Sequence, residues 1–152
     1  MRSATLLFFA ILIFLVGGAH SQTVTGSIGN GSAAKGAATR GTVVLDIPGG
    51  LHVNSNRPAS QYAIPTSVRV TAQGARVGRV SYPRGRNRKF QFSENLINVY
   101  EGRVSFPFSV TVPGGFKGDS LRVRAVVRYQ ACTEEVCYPP KTKEITLTAR
   151  VR

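Results

Sequence analysis

The amino-acid sequence predicts an all-β domain, a sandwich of about seven short strands. Three observations lead there. Apolar and polar residues alternate with a period of two along most of residues 41–152, as in strands with one buried face. Turn signals rich in Gly and Pro separate these runs. Beyond the N-terminal segment no stretch carries a helical apolar period.

The first element is not part of that fold. Arg2 precedes the apolar run Leu6–Val16, and small residues follow at Ala19 and Ser21. The run has the length of a signal-peptide core, ~7–15 residues, and falls short of the ~20 residues that cross a bilayer. Residues 1–21 are therefore expected to be a cleaved export signal, cut after Ala19 or Ser21. The protein is expected in the periplasm, or secreted. Residues 22–40, "QTVTGSIGNGSAAKGAATR", hold Gly, Ser, Ala and Thr without large apolar periodicity. They read as a flexible linker, with the ordered domain at 41–152.

From Gly41 the strand signals follow one another. "TVVLDI" is β-branched and ends at "PGG". "LHVNSN" precedes a polar, proline-marked connection. "SVRVTAQG", "RVGRVSYP" and "GRNRKFQF" come next. "GRVSFPFSVTVPGG" alternates Val104, Phe106, Phe108, Val110 and Val112. "SLRVRAVVRYQAC" sets Leu121, Val123, Ala125, Val127 and Tyr129 on one face, and "KEITLTARVR" repeats the pattern with Ile145, Leu147, Ala149 and Val151. "PGG" at 48–50 and 113–115 predicts turns that use the positive φ open to glycine. Pro107 lacks a donor, so it is expected at an edge or a bulge.

The formal charge is +13, and removal of Arg2 with the signal lowers it by one to +12. Such a field attracts anionic lipid, anionic glycan or acidic protein; for an exported chain no nucleic-acid partner is expected. The densest basic group is Arg79, Arg84, Arg86, Arg88 and Lys89.

Chemistry concentrates in "YQACTEEVCYPPKTKEI", which holds both cysteines, Cys132 and Cys137. An oxidising compartment makes a disulfide the default. A loop this small yields only ~2 kcal/mol in the chain-entropy account, so the bridge is a weak staple. Zinc needs four ligands, and His52, the one histidine of residues 41–152, is the only further ligand besides carboxylates; no metal and no cofactor are expected. A Cys–His pair with His52 is a further reading, against that of a packed histidine. The remaining reading is a redox pair, since an exposed hairpin disulfide is open to thiolate attack. Glu134 and Glu135 raise the thiol pKa, while Arg128, Lys141 and Lys143 oppose them.

The run "VRYQACTEEVCYPPKTKEITL" resembles the N-terminal periplasmic domain of the thiol–disulfide interchange protein DsbD. "GGLHVNSN", "SVRVTAQG", "VSYP" and "NVYEGRVSFPFSV" follow that family's order over roughly residues 41–152. The resemblance implies an immunoglobulin-like sandwich of about seven or eight strands, with the cysteine pair on the C-terminal hairpin. It implies transfer of reducing equivalents from a membrane electron carrier to thioredoxin-like periplasmic proteins. Cys137 would form the mixed disulfide and Cys132 would resolve it, beside Tyr138 and Pro139. An aromatic ring of a cap loop would shield the pair, through Phe92 or Phe90. This chain departs from the pattern in places. Its cysteines lie one residue closer, Arg88 and Lys89 precede Phe90 where the family has acidic residues, and His52 and Asn54 stand where tyrosines are found. The family's transmembrane and thioredoxin-like domains lie outside this sequence, so the donor is expected to be a separate protein. Two other readings are an immunoglobulin-like binding module with a structural disulfide, and a basic adhesin for anionic glycans or lipids.

Overall fold

A computed structural model describes residues 21–152; the expected export signal at 1–21 lies, but for Ser21, outside them. Among the described residues every regular element is a strand: β1 (Thr23–Ile28), β2 (Ser32–Ala33), β3 (Ala38–Asp46), β4 (His52–Asn54), β5 (Ser67–Ala72), β6 (Arg76–Val77), β7 (Arg86–Arg88), β8 (Ile97–Tyr100), β9 (Arg103–Thr111), β10 (Ser120–Tyr129), β11 (Ala131–Cys132) and β12 (Lys141–Val151). They form three four-stranded sheets, ordered β1-β3-β9-β6, β2-β12-β10-β5 and β11-β4-β8-β7. The strand count exceeds the sequence expectation because the chain spends short two- and three-residue strands on sheet edges and on the site.

The first two sheets close over one core. The inward row of β10, Leu121, Val123, Ala125, Val127 and Tyr129, is fully buried. It meets Phe106, Phe108 and Val110 of β9, Val43 and Leu45 of β3, and Leu147, Ala149 and Val151 of β12. The period-two pattern therefore does in the structure what it predicts in the sequence: one face apolar and dry, one face charged. Each such Val, Leu or Phe contributes ~1.5–3 kcal/mol on burial, which makes this sandwich the main source of stability.

Residues 22–40 are not a linker. β1 pairs with β3 from Thr23↔Asp46 to Ile28↔Gly41, and β2 runs parallel to the end of β12. Ile28 and Ala33 are core residues. Some of the glycines that suggested flexibility serve close approach instead. A Cβ on Gly26 would lie 2.5 Å from the Thr42 carbonyl oxygen. An edge strand needs few large apolar side chains, so its signal is faint.

Pro107 sits in β9 opposite Thr42, beyond the point where β6 pairing ends at Val77↔Val110. Its carbonyl accepts from the Ser81 N–H at 2.8 Å, so the missing proline donor falls where no strand asks for it. The first PGG turn closes with Leu51 N–H donating to Pro48 O at 3.2 Å and places Gly50 at φ 79°. The second closes from Phe116 N–H to Pro113 O at 3.0 Å with Gly114 and Gly115 outside the positive-φ set, so there the expectation of left-handed glycine fails.

The third sheet positions the site. One face, with Val53, Tyr100 and Ala131, packs on the main core. Its other side carries a separate small cluster, Phe90, Ile97 and Val99, with Ala63 against it.

Candidate functional site

The chain switches sheets at Gln130. Tyr129 is the last β10 residue paired with β12, opposite Lys141; two residues later Ala131 pairs with Val53 on β4, and Cys132 follows opposite His52. Gln130 ties the switch together. Its Oε1 accepts from Asn54 Nδ2 at 2.9 Å and from the Ile64 N–H at 3.1 Å. Its Nε2 donates to the Tyr138 carbonyl at 3.3 Å.

Beyond it the chain makes a tight hairpin. The Tyr138 N–H donates to Ala131 O, and the Thr133 N–H to Val136 O, both at 2.8 Å. Thr133 Oγ1 accepts from the N–H groups of Glu135 and Val136, a hydroxyl-capped turn. Cys132 and Cys137 fall between the two hydrogen-bonded pairs, with Cα atoms 3.9 Å apart. That is the position where opposed side chains of an antiparallel pair come closest, and a disulfide joins them.

The two cysteines face different surroundings. Cys132 is 0% exposed, held between its hairpin partner and β4. Cys137 is exposed, as are Val136, Tyr138, Pro139 and Pro140 beside it. Prolines 139 and 140 have no N–H to extend the ladder, and β12 begins only at Lys141.

His52 stands opposite Cys132, 2% exposed. Its ring stacks on Phe90 with centroids 4.2 Å apart, and Phe90 stacks on Phe92 at 5.2 Å. Phe90 is 2% exposed and Phe92 43%. The sequence left open which of the two would face the site; the inner position belongs to Phe90 and the outer to Phe92. Burial holds the His52 pKa below its ordinary 6.5, while Glu134 and Glu101 pull it up and Arg88 pushes it down.

Arg88, in the sequence one of a basic group and a basic residue close before Phe90, gains its partners only in the fold. It pairs with Glu101, reaches Glu134 on the hairpin turn at 3.0 Å, and lies 5.6 Å from the Phe90 ring centroid. One guanidinium thus touches the sandwich, the turn between the cysteines and the aromatic stack. Gln130 and Thr133 were also missed. Thr133 had a signal, a hydroxyl at the head of a two-residue acidic turn; Gln130 and Arg88 had none, because their partners lie 66–76 and 13–46 residues away in sequence.

An all-β sandwich with a disulfide across an exposed hairpin tip, one cysteine buried and the other exposed, fits the class of thiol–disulfide interchange modules. Comparison with known proteins narrows the class. The family model for the N-terminal part of the thiol:disulfide interchange protein DsbD matches residues 27–149, and the chain belongs to that family. A thiol:disulfide interchange protein DsbD from Actinobacillus pleuropneumoniae serotype 5b (strain L20) is 29% identical over 87 residues, which cover 57% of this chain and 14% of that protein. The chain thus matches only a small part of this relative. Among solved structures, the N-terminal periplasmic domain of ScsB from Proteus mirabilis superposes with a TM-score of 0.51 at 12% identity, over 91% of this chain and 49% of that one, which shows a shared fold. The resemblance carried by the cysteine–YPP run is borne out, and with it the immunoglobulin-like fold.

Proposed function

We propose that this protein is an exported, periplasmic module that carries reducing equivalents from a membrane electron carrier to thioredoxin-like proteins through Cys132 and Cys137. The observation that carries the reading is the unequal exposure of the two cysteines on one hairpin tip. Exchange needs attack on one chosen sulfur, and only Cys137 is open to a partner. The periplasmic origin of the solved neighbour and the export signal read in residues 1–21 support the compartment.

A donor dithiol reduces the Cys132–Cys137 bond and becomes a disulfide. The Cys137 thiolate then attacks one sulfur of a partner disulfide. The partner S–S bond breaks, a mixed disulfide forms, and the leaving partner thiolate takes a proton. The Cys132 thiolate attacks Cys137 Sγ, expels the second partner thiolate and restores the intramolecular bond. Two electrons have passed to the partner. Phe90 and Phe92 act as the cap over the buried side of the pair, with Tyr138 and Pro139 as the stiff flank of the exposed sulfur. Any anionic surface would meet the outer face of β5 and β10, where Arg69, Arg122, Arg124 and Arg128 are exposed.

Trapping tests the assignment. Cys132→Ser protein is expected to accumulate a mixed disulfide with a thioredoxin-like partner, and Cys137→Ser to accumulate little. Equal trapping would overturn the roles; none with either variant would leave a binding module with a structural bridge.

A further inference from the structure

We propose that His52 is the base that takes the proton from Cys132 when this cysteine resolves the mixed disulfide. The inference rests on the redox reading above and deepens it. Cys132 must act as a thiolate nucleophile, yet it is 0% exposed. A buried thiol gives up its proton reluctantly. Arg88, the cation that acts on neighbouring His52, is already engaged by Glu101 and Glu134. Without a base, the second half of the exchange would stall.

His52 has the required placement. It is the direct register partner of Cys132 between β4 and β11. Directly opposed residues project from the same face with Cβ atoms ~4.5–5.5 Å apart. Its ring is held by the stack on Phe90, so its orientation is set before the reaction. Its Nε2 is buried and has no hydrogen-bond partner. A buried polar atom left unpaired is costly; a thiol on Cys132, present only in the reduced protein, is a donor it lacks.

The charges are arranged for the same role. Burial keeps the imidazole neutral, and so able to accept. When the proton arrives, the imidazolium is favoured by Glu134 on the hairpin turn and Glu101 beyond β8, with Arg88 of β7 as the opposing charge. In the step itself the Cys132 S–H bond breaks and the proton goes to His52. The sulfur's electron pair forms the bond to Cys137 Sγ. The partner sulfur leaves as a thiolate and takes a proton from His52 or water. No electron acceptor beyond the mixed disulfide is needed.

An aromatic disulfide that releases a coloured thiol separates the two halves. Added to the reduced protein, it gives one equivalent when Cys137 attacks and a second when Cys132 resolves. In the parent protein the second phase is expected to rise through a pH below 6.5, where His52 loses its proton, and to level off above it. In His52→Gln the second phase should slow roughly a hundredfold at neutral pH while the first is unchanged. It should then climb with pH as Cys132 itself ionises and approach the parent rate in alkali. A variant slowed equally at all pH values, or one matching the parent profile, would overturn the proposal. If the variant fails to fold, the parent profile decides alone: a second phase with no inflection below 6.5 rules His52 out. Absence of the first phase in the parent would refute the redox reading itself.

Discussion

Removing the disulfide by Cys132→Ala with Cys137→Ala is expected to lower stability by only about 2 kcal/mol. The bridge spans a sequence separation of 5, and chain entropy for a loop of that size gives ~2 kcal/mol, against ~4.7 for a hundred residues. The structure supplies no larger debt. The hairpin keeps its two backbone bonds and both turn bonds to Thr133 Oγ1. The three side-chain bonds of Gln130 also survive. Alanine leaves no buried donor unpaired. Typical domains have ~5–15 kcal/mol to lose, so the variant should remain folded. By the thermodynamic cycle, the fold stabilises the disulfide by the same ~2 kcal/mol, or about 40 mV. Urea denaturation of the parent and the double variant, with the slope held equal, measures the difference. A loss above about 4 kcal/mol, or an unfolded variant, would refute the reasoning and make the bridge a structural staple.

Other consequences can be measured in the same way. His52 titrates near 6.5 when unfolded and lower when folded, so below 6.5 the unfolded chain binds more protons and stability falls. It should be flat above 6.5, and His52→Phe should remove the acid loss down to the range below 4.5, where Glu144, held low by Arg124, begins to contribute. A parent protein whose urea midpoint is constant from 7 to 5 would contradict this. Gly41→Ala places a Cβ 2.3 Å from the buried Phe108 ring and should cost ~1–3 kcal/mol by overpacking; an unshifted melting midpoint would be inconsistent with that contact. Arg88→Gln breaks two partly exposed ion pairs worth at most ~1 kcal/mol each, and should speed amide exchange in residues 89–96 and 133–136. Exchange unchanged in both segments would show that Arg88 does not hold them.

The sandwich was legible because its signal is local and repeated. Five consecutive inward positions of β10 read as one row from the sequence, and all five are buried. The same reading failed on residues 22–40, where Gly26 sits at a close strand approach and Gly29, Gly31 and Gly36 in positive-φ turns, a composition that imitates a linker. At the site, the sequence marked Cys132, Cys137, His52 and both phenylalanines but could not order them. Register did that: one pairing, Cys132 with His52, brings together residues eighty apart in the chain. Arg88 and Gln130 were illegible for the same reason, since a side chain that joins three elements leaves no periodic trace.

The asymmetry of the cysteines has a cause in backbone chemistry rather than in the cysteines themselves. Both lie on one hairpin and face each other, so symmetry would expose them alike. β4 breaks it by pairing with the Cys132 strand alone. On the other side the prolines at 139 and 140 cannot donate to a ladder, and the segment from Cys137 to Pro140 stays outside any strand until Lys141. One cysteine is thereby built into a sheet, beside a buried imidazole, while the other is left at the surface. In the proposed exchange a partner sulfur would meet Cys137 first, because the fold has already given Cys132 a neighbour on each side.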